Sequence, residues 1–512
     1  MQAWLIKLDE VAPKKLFWWI VSFSIALAAW IQYIQYGWIN PDSVIYFEQA
    51  RLIAAGDWHS AIQIFNWPLY GFCIALIHKL TLLDIHSSAQ ILNSIFFGIA
   101  TASYLKIIQI CGGNTRVMLS GAFILFSSQY IVGDALSMLL RDEGFWAFYL
   151  ASLFFFIRYL QQEQIRDALI WQVCIMIATL FRIEGISYLI GLPLIFLFLH
   201  HQHWLARLKH LLYTNSLSIL TMGFIATTIL INKDLSMKNF GRLQEVFTTN
   251  FYQEFTAHLQ QSTKIMSEQV LGKYLDEYAV VGLLVIFAYI IIVKIISTTG
   301  IIPSALNFFA LKQGAYKSLE KNAHFALRVV ALIAVFNMAL IIIKVFVLSG
   351  RYVIALSWIL MILASFYLSD LVKTPNRKHV QIGLLVLILL FSGMIKNILP
   401  KHEGYNYLQD AVAWTTATAP DDKIFYDDCR MRYYAKAPFA GKWDSTWSKT
   451  IQSIENKSIY QNDFLILTLS ANHPERIPML EKHLLEYKEI KRFYSDNKKK
   501  YAAIYRKVSS HK

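Results

Sequence analysis

Over residues 16–399 the chain alternates long apolar runs with short polar loops. Eleven runs, at 16–36, 88–110, 117–132, 145–159, 168–181, 186–199, 211–231, 279–296, 329–348, 353–371 and 382–399, read as membrane-crossing helices, because a helix needs about 20 apolar residues to cross the hydrocarbon core. The run at 69–83 is shorter and carries His78 and Lys79 near its end. It is predicted to lie flat at the interface.

The flat reading decides the topology. With it, Lys106 and Arg116 fall on the same side as Lys7, Lys14 and Lys15, and so do Arg158 with Arg166, Arg207 with Lys209, the lysines 312, 317 and 321, and the group Lys373, Arg377 and Lys378. Short loops rich in lysine and arginine face the cytoplasm, so the pattern predicts about 11 crossings with the N-terminus inside. The N-terminal segment has no small-residue cleavage site after a short apolar core and reads as a retained anchor.

Every polar cluster at a helix end then emerges on the outer side: Asp42; Arg141, Asp142 and Glu143; Arg182 and Glu184; Arg351 with Tyr352. Ionisable groups near membrane depth are costly unless they pair or line a polar cavity. Two readings follow. Arg182 with Glu184, and Arg141 with Glu143, are helix-capping ion pairs, or all of these residues wall one site. Asp42, taken alone, reads as the N-cap of the helix that follows it.

That helix belongs to an outer loop, 37–87, around which the chain is organised. Val44, Phe47, Ala50, Arg51 and Ala54 fall at helical spacing, Gly56 ends the helix, and Pro68 starts a second one. Trp58, Phe65, Trp67 and Tyr70 are placed at the headgroup level, and Asp57 is a solvated helix stop. A second outer loop, 232–277, carries Phe240, Leu243, Phe247, Phe251 and Phe255 at mixed three- and four-residue spacing, the pattern of a lid. Residues 297–326 read as a basic, polar cytoplasmic segment.

The pattern changes at 400–512. Strand-like KIFYD, FLILTL and YAAIYRKV alternate with helical stretches at 408–418 and 478–487, which predicts a small α/β domain outside the membrane. The fold class is therefore an α-helical polytopic membrane protein, 1–399, with a C-terminal α/β domain, 400–512.

Composition narrows the chemistry. With 56% hydrophobic and 16% charged residues, the formal charge of +14 is explained by inner loops and not by nucleic-acid binding. Neither GxxxxGK[ST] nor a strand-to-helix GxGxxG occurs, so no nucleotide site is predicted. The four cysteines, Cys73, Cys111, Cys174 and Cys429, are scattered without ligand spacing, and His402, His473 and His483 near the end of the chain lack it too. No cofactor is indicated; a divalent cation remains compatible, with Asp57 a further carboxylate beside Asp42 and Glu143.

Asp42 followed by Tyr46, Ala50, Gly56-Asp57-Trp58 and NWPLYG resembles the first outer loop of the GT-C superfamily of membrane glycosyltransferases, the group of the lipid A aminoarabinose transferases and protein O-mannosyltransferases. RDEGFWAFYLASLFFF at 141, LFRIEG at 180, GRYVIALSW at 350 and LQDAVAWTTATAPDDKIFYDD at 408 extend the resemblance over most of the chain. It implies an inverting transfer of a sugar from a polyprenyl-phosphate donor to a glycan or lipid acceptor outside the plasma membrane, in bacteria the periplasmic face of the inner membrane. Asp42 takes the position of the family's catalytic aspartate, a general base for the acceptor hydroxyl. Glu143, or its neighbour Asp142, takes the second acidic position. Arg141 and Arg351 become candidates for holding the phosphate, and Arg182, Glu184 and Tyr352 line the same site. Where many relatives have Asp-Glu, this chain has Asp42-Ser43, which disfavours the O-mannosyltransferase branch. The alternative class is a transporter or flippase for a lipid-linked substrate, which predicts polar groups at mid-span and repeated, broken helices.

Overall fold

The computed structural model describes residues 12–35, 39–198, 203–231, 251–373, 377–400, 406–441 and 446–508. The chain is a polytopic, largely helical membrane protein with a small sheet domain at its C-terminus. It divides into two compact units, one of Met1–Ala29, Ile91–Leu136 and Arg141–Ile398, the other of Trp30–Gln90, Ser137–Leu140 and Leu399–Lys512. The second unit thus combines the C-terminal residues with the stretch 37–87.

In the first unit the apolar runs fold as helices. Among the described residues seven helices in the chain are long and apolar enough to cross a membrane. These are α1 (Pro13–Ile34), α5 (Ile85–Ile110), α10 (Trp204–Ile231), α12 (Ala279–Thr299), α14 (Lys321–Val345), α15 (Gly350–Lys373) and α16 (Arg377–Ile398). An eighth run is a bent pair: α6 (Thr115–Phe126) breaks at Ser127–Ser128 and continues 47° away as a π-helix, Gln129–Ala135. The carbonyls freed at the break are not left bare, since Asn397 Nδ2 donates to those of Phe126 and Ser128, both at 3.2 Å. The other three expected crossings are α7 (Asp142–Gln162), α8 (Ile165–Phe181) and the run at 186–199. That last run forms only α9 (Gly185–Gly191) and a 3-10 turn, Pro193–Phe198.

Two further segments of this unit are helical where described. Residues 297–326 contain a helix, α13 (Ile301–Gln313), seated on α15 by Asn307 Nδ2 donating to the Leu360 carbonyl at 2.8 Å. Within 232–277 the described part is α11 (Phe251–Ile265) with short turns after it; Phe240, Leu243 and Phe247 and the side chains of Phe251 and Phe255 lie outside the described residues.

In the second unit the stretch expected to be an outer loop folds as α2 (Pro41–Ala54), α3 (Trp58–Ile64) and α4 (Leu69–Thr81). At 13 residues α4 rises about 20 Å, short of a hydrocarbon core. The cap of α2 is Asn40, whose side chain accepts from the Asp42 N–H at 2.9 Å, with Pro41 at the first position. Asp42 is therefore in the first turn and is not the N-cap, because the proline ends the extended segment one residue earlier. Asp57 caps α3 by accepting from the Ser60 N–H at 3.0 Å. Trp67 and Tyr70 are buried, at 5% and 1% exposure, so both rings pack within the protein; Tyr46 packs edge-on against Tyr70. At the centre is Gln49, whose amide donates to the carbonyls of Ala61 (3.0 Å) and Phe65 (2.6 Å) at the end of α3. Gly71 leaves room for it: a Cβ there would lie 2.7 Å from Gln49 Oε1.

The C-terminal residues form a four-stranded sheet in the order β1-β2-β4-β3, from β1 (Ile424–Tyr426), β2 (Phe464–Ser470), β3 (Tyr487–Tyr494) and β4 (Lys500–Lys507). β1 and β2 are parallel and the other pairs antiparallel. Alternate residues feed two cores. Leu465, Leu467 and Ala503 meet Leu480 of α20 (Arg476–His483) and Ile454 of α19 (Thr446–Glu455), while Phe464, Ile466 and Ile504 meet Leu408 and Val412 of α17 (Tyr407–Thr418).

One buried carboxyl in this sheet titrates. Asp427 follows β1, accepts from the Thr468 N–H at 2.6 Å and its hydroxyl at 3.0 Å, and is pushed up to about 7, by burial first and then by the charge of Asp428. Thr468 and Lys449 act against that rise. The folded domain therefore holds a proton that the unfolded chain releases near the ordinary aspartate value, about 3.9, so this group's contribution to stability falls as pH rises from about 4 to about 7. Infrared titration of the full chain is expected to show a protonated carboxyl band lost near neutral pH, and Asp427→Asn is expected to remove it.

Candidate active site

Five of the predicted site residues meet in the first unit. α7 and α8 form an antiparallel hairpin turned at Glu163, whose φ of 53° is left-handed, so the start of α7 and the end of α8 share one end. Gly144 lets them approach, since a Cβ there would lie 2.5 Å from the Phe181 ring. Arg182 leaves α8 in extended conformation, and its guanidinium forks onto Glu184 (Nη2 to Oε1 2.7 Å, Nε to Oε2 3.3 Å). Its other terminal nitrogen, Nη1, bonds Asp142 of α7, and the Tyr352 ring centroid lies 5.0 Å from its Cζ. Arg182 and Asp142 are almost fully buried, at 3% and 4% side-chain exposure. Arg351 lines the same cleft from the first turn of α15.

Arg141 and Glu143 flank this group. Both are buried; Arg141 acts electrostatically on Glu184, and Glu143 acts on Tyr130. The set holds three guanidinium groups and three carboxylates, which balances its formal charge. Its cleft, lined by Arg182, Glu184, Tyr188, Asn337, Arg351 and Tyr352, has a volume of about 10 Å³, the room of one water.

Asp42 lies in the other unit, half-buried in the first turn of α2, a place where acidic side chains are favoured. Beside it, the Ser43 hydroxyl donates to the carbonyl of Met138. Among the described residues no group of three or more His, Cys, Asp or Glu is arranged to hold a metal ion.

Tyr130 is a member of the first cluster that sequence reasoning missed. It sits in the π-helix within electrostatic reach of Asp142, Arg182, Arg351 and Glu143. Its only signal was the Ser127-Ser128 pair just before it, a common site of helix breaks. Gly350 presses on its ring: a Cβ at that position would come within 2.5 Å of Cε2 and 2.7 Å of Cζ. Gly350→Ala is expected to cost about 1–3 kcal/mol, the usual toll of overpacking, read as a lowered unfolding midpoint of the detergent-solubilised protein.

No protein-family pattern and no curated protein matches the sequence. Among solved structures, the crystal structure of ArnT from Cupriavidus metallidurans bound to undecaprenyl phosphate superposes with a TM-score of 0.57 at 14% identity, over 95% of this chain and 97% of that one. The chain thus has a GT-C-like fold and is a multi-pass integral membrane protein.

Proposed function

We propose that the protein is an inverting glycosyltransferase that moves a sugar from a polyprenyl-phosphate donor to an acceptor outside the plasma membrane: a lipid-linked glycan, a lipopolysaccharide or a polysaccharide. The observation that carries this reading is the chain-long likeness in fold to an ArnT that binds undecaprenyl phosphate. The aspartate in the first outer loop and the buried arginine cluster add to it.

In this reaction the acceptor hydroxyl gives its proton to the Asp42 carboxylate as its oxygen attacks the anomeric carbon. The bond from that carbon to the phosphate oxygen breaks with its electron pair, and the departing polyprenyl phosphate gains one negative charge. Arg141 and Arg351 receive that charge, for which planar guanidinium forks are suited. Arg182 braces them through Asp142 and Glu184, with Tyr352 across its face, and Glu143 orients the acceptor or the base. The cluster is closed around about 10 Å³, so the phosphate binds by parting it. No cofactor is invoked for this transfer, which is expected to be indifferent to a chelator.

The test is transfer of labelled sugar from a panel of polyprenyl-phosphate donors to membrane acceptors by the purified protein. Transfer from one donor supports the reading. Absence of transfer from all of them, with lipid-linked sugar instead crossing the bilayer of a reconstituted vesicle, overturns it in favour of a transporter.

A further inference from the structure

The second unit contains a cavity of about 490 Å³ that the proposed reaction does not use. It lies between α2 and a short helix, α18 (Cys429–Tyr434), with the loop that follows, and its volume is in the range of small-molecule pockets, about 300–1,000 Å³. It engages α2 through Val44, Phe47, Glu48 and Arg51. At about 100° per residue this face is roughly 140–240° round the helix from Asp42. The cavity is thus built on the back of the helix that carries the proposed base.

Its lining pairs bases with aromatic rings. Arg51, Arg432 and Lys436 supply three positive charges; Phe47, Tyr433 and Phe439 supply ring surface. One carboxylate, Glu48, opposes them and is taken up by Arg51, at 2.6 Å and 2.8 Å. The parts are held in place. Phe47 packs against Tyr433 (centroids 5.6 Å) and His86 (5.3 Å), and Arg432 Nε donates to the Pro438 carbonyl at 2.8 Å, which fixes the plane of its fork. Near Cys429, the buried Lys449 is held below its ordinary value by burial and then by Arg432, with Asp427 and Asp428 acting against that fall. The lining itself carries three bases and one carboxylate.

We propose that this cavity binds a phosphate-bearing saccharide, its phosphate on Arg432 and Lys436 and its ring against Phe47, Tyr433 and Phe439. Guanidinium forks match phosphate oxygens in two-point contacts, and flat apolar faces beside them suit the C–H face of a sugar. An inorganic anion satisfies only half of this lining; a neutral sugar satisfies the other half. The sugar phosphate is either a soluble metabolite or the head of a membrane glycolipid.

The test is calorimetric titration of the purified full-length protein with glucose 1-phosphate, inorganic phosphate and glucose. Saturable binding of glucose 1-phosphate is expected, at least tenfold tighter than either other probe and weakened by added salt. Lys436→Gln, at an exposed position, and Arg432→Gln are each expected to weaken it at least tenfold, whereas Asp42→Asn leaves it unchanged. Because the last protein lacks the proposed base, this result stands or falls apart from the proposed reaction. Displacement of the probe by a phosphoglycolipid in nanodiscs marks a membrane-borne occupant; failure of that lipid to displace it marks a soluble one, and either outcome supports the site. Absence of saturable binding, inorganic phosphate binding as tightly as glucose 1-phosphate, or affinity untouched by both basic-residue variants overturns it.

Discussion

Asp42→Asn is expected to lower sugar transfer from a polyprenyl-phosphate donor by about a hundredfold or more, the usual yield of a positioned general base. The substitution is nearly isosteric, and the helix cap does not rest on the carboxylate. The α2 cap is made by Asn40 to the Asp42 backbone N–H, which asparagine retains, and Pro41 sets the start of the helix in either protein. A loss of transfer at matched membrane abundance and unchanged unfolding midpoint therefore reports proton transfer. Asn40→Ala provides the contrast: it removes the cap at a cost of about 1 kcal/mol, and is expected to lower the unfolding midpoint with little change in transfer per folded molecule. Equal transfer by the wild type and Asp42→Asn would remove Asp42 from the chemistry.

The membrane helices were legible because length and apolarity report them directly. What hydropathy does not carry is a break inside an apolar run. Within residues 117–132 only the Ser127-Ser128 pair hints at the 47° bend, because the polar group that offsets it, Asn397, lies on α16 far along the chain. The strands FLILTL and YAAIYRKV were visible because they feed two cores and read as near-continuous apolar runs. β3 was not, since it is the edge strand and places Lys488, Glu489, Lys491 and Arg492 along its length. Charges of that kind keep an edge from pairing with another chain, and they erase the alternation by which a strand is read.

The candidate site was legible to the same extent. Arg182 and Glu184 are two residues apart, so their pairing could be anticipated. Asp142 is 40 residues from Arg182, and only the α7–α8 hairpin brings them together. Arg141 and Glu143 belong to a wider set, in which Arg141 acts on Glu184 and Glu143 on Tyr130. Gln49 carried no signal, because a glutamine in an amphipathic helix ordinarily faces water; here it is fully buried and ties α2 to the end of α3.

Arg182→Leu is expected to destabilise the first unit by about 3–5 kcal/mol, the range found when one partner is taken from a buried ion pair. The size follows from what is left behind. Asp142, at 4% side-chain exposure, loses its cation, and Glu184, at 19%, loses a two-point fork. Leucine supplies neither charge nor donor, and the cleft has room for about one water to compensate. Arg182→Lys keeps the charge but cannot hold Glu184 with two nitrogens while reaching Asp142 with a third, so an intermediate loss is expected. A double-mutant cycle separates this account from simple loss of packing. If Arg182 acts by neutralising Asp142, then Asp142→Asn should be damaging in the wild type and markedly less so, or stabilising, beside Arg182→Leu. Additive costs in unfolding midpoint would mean that the two side chains are not energetically coupled, and the cluster would then be a packing device and no electrostatic brace for a phosphate site.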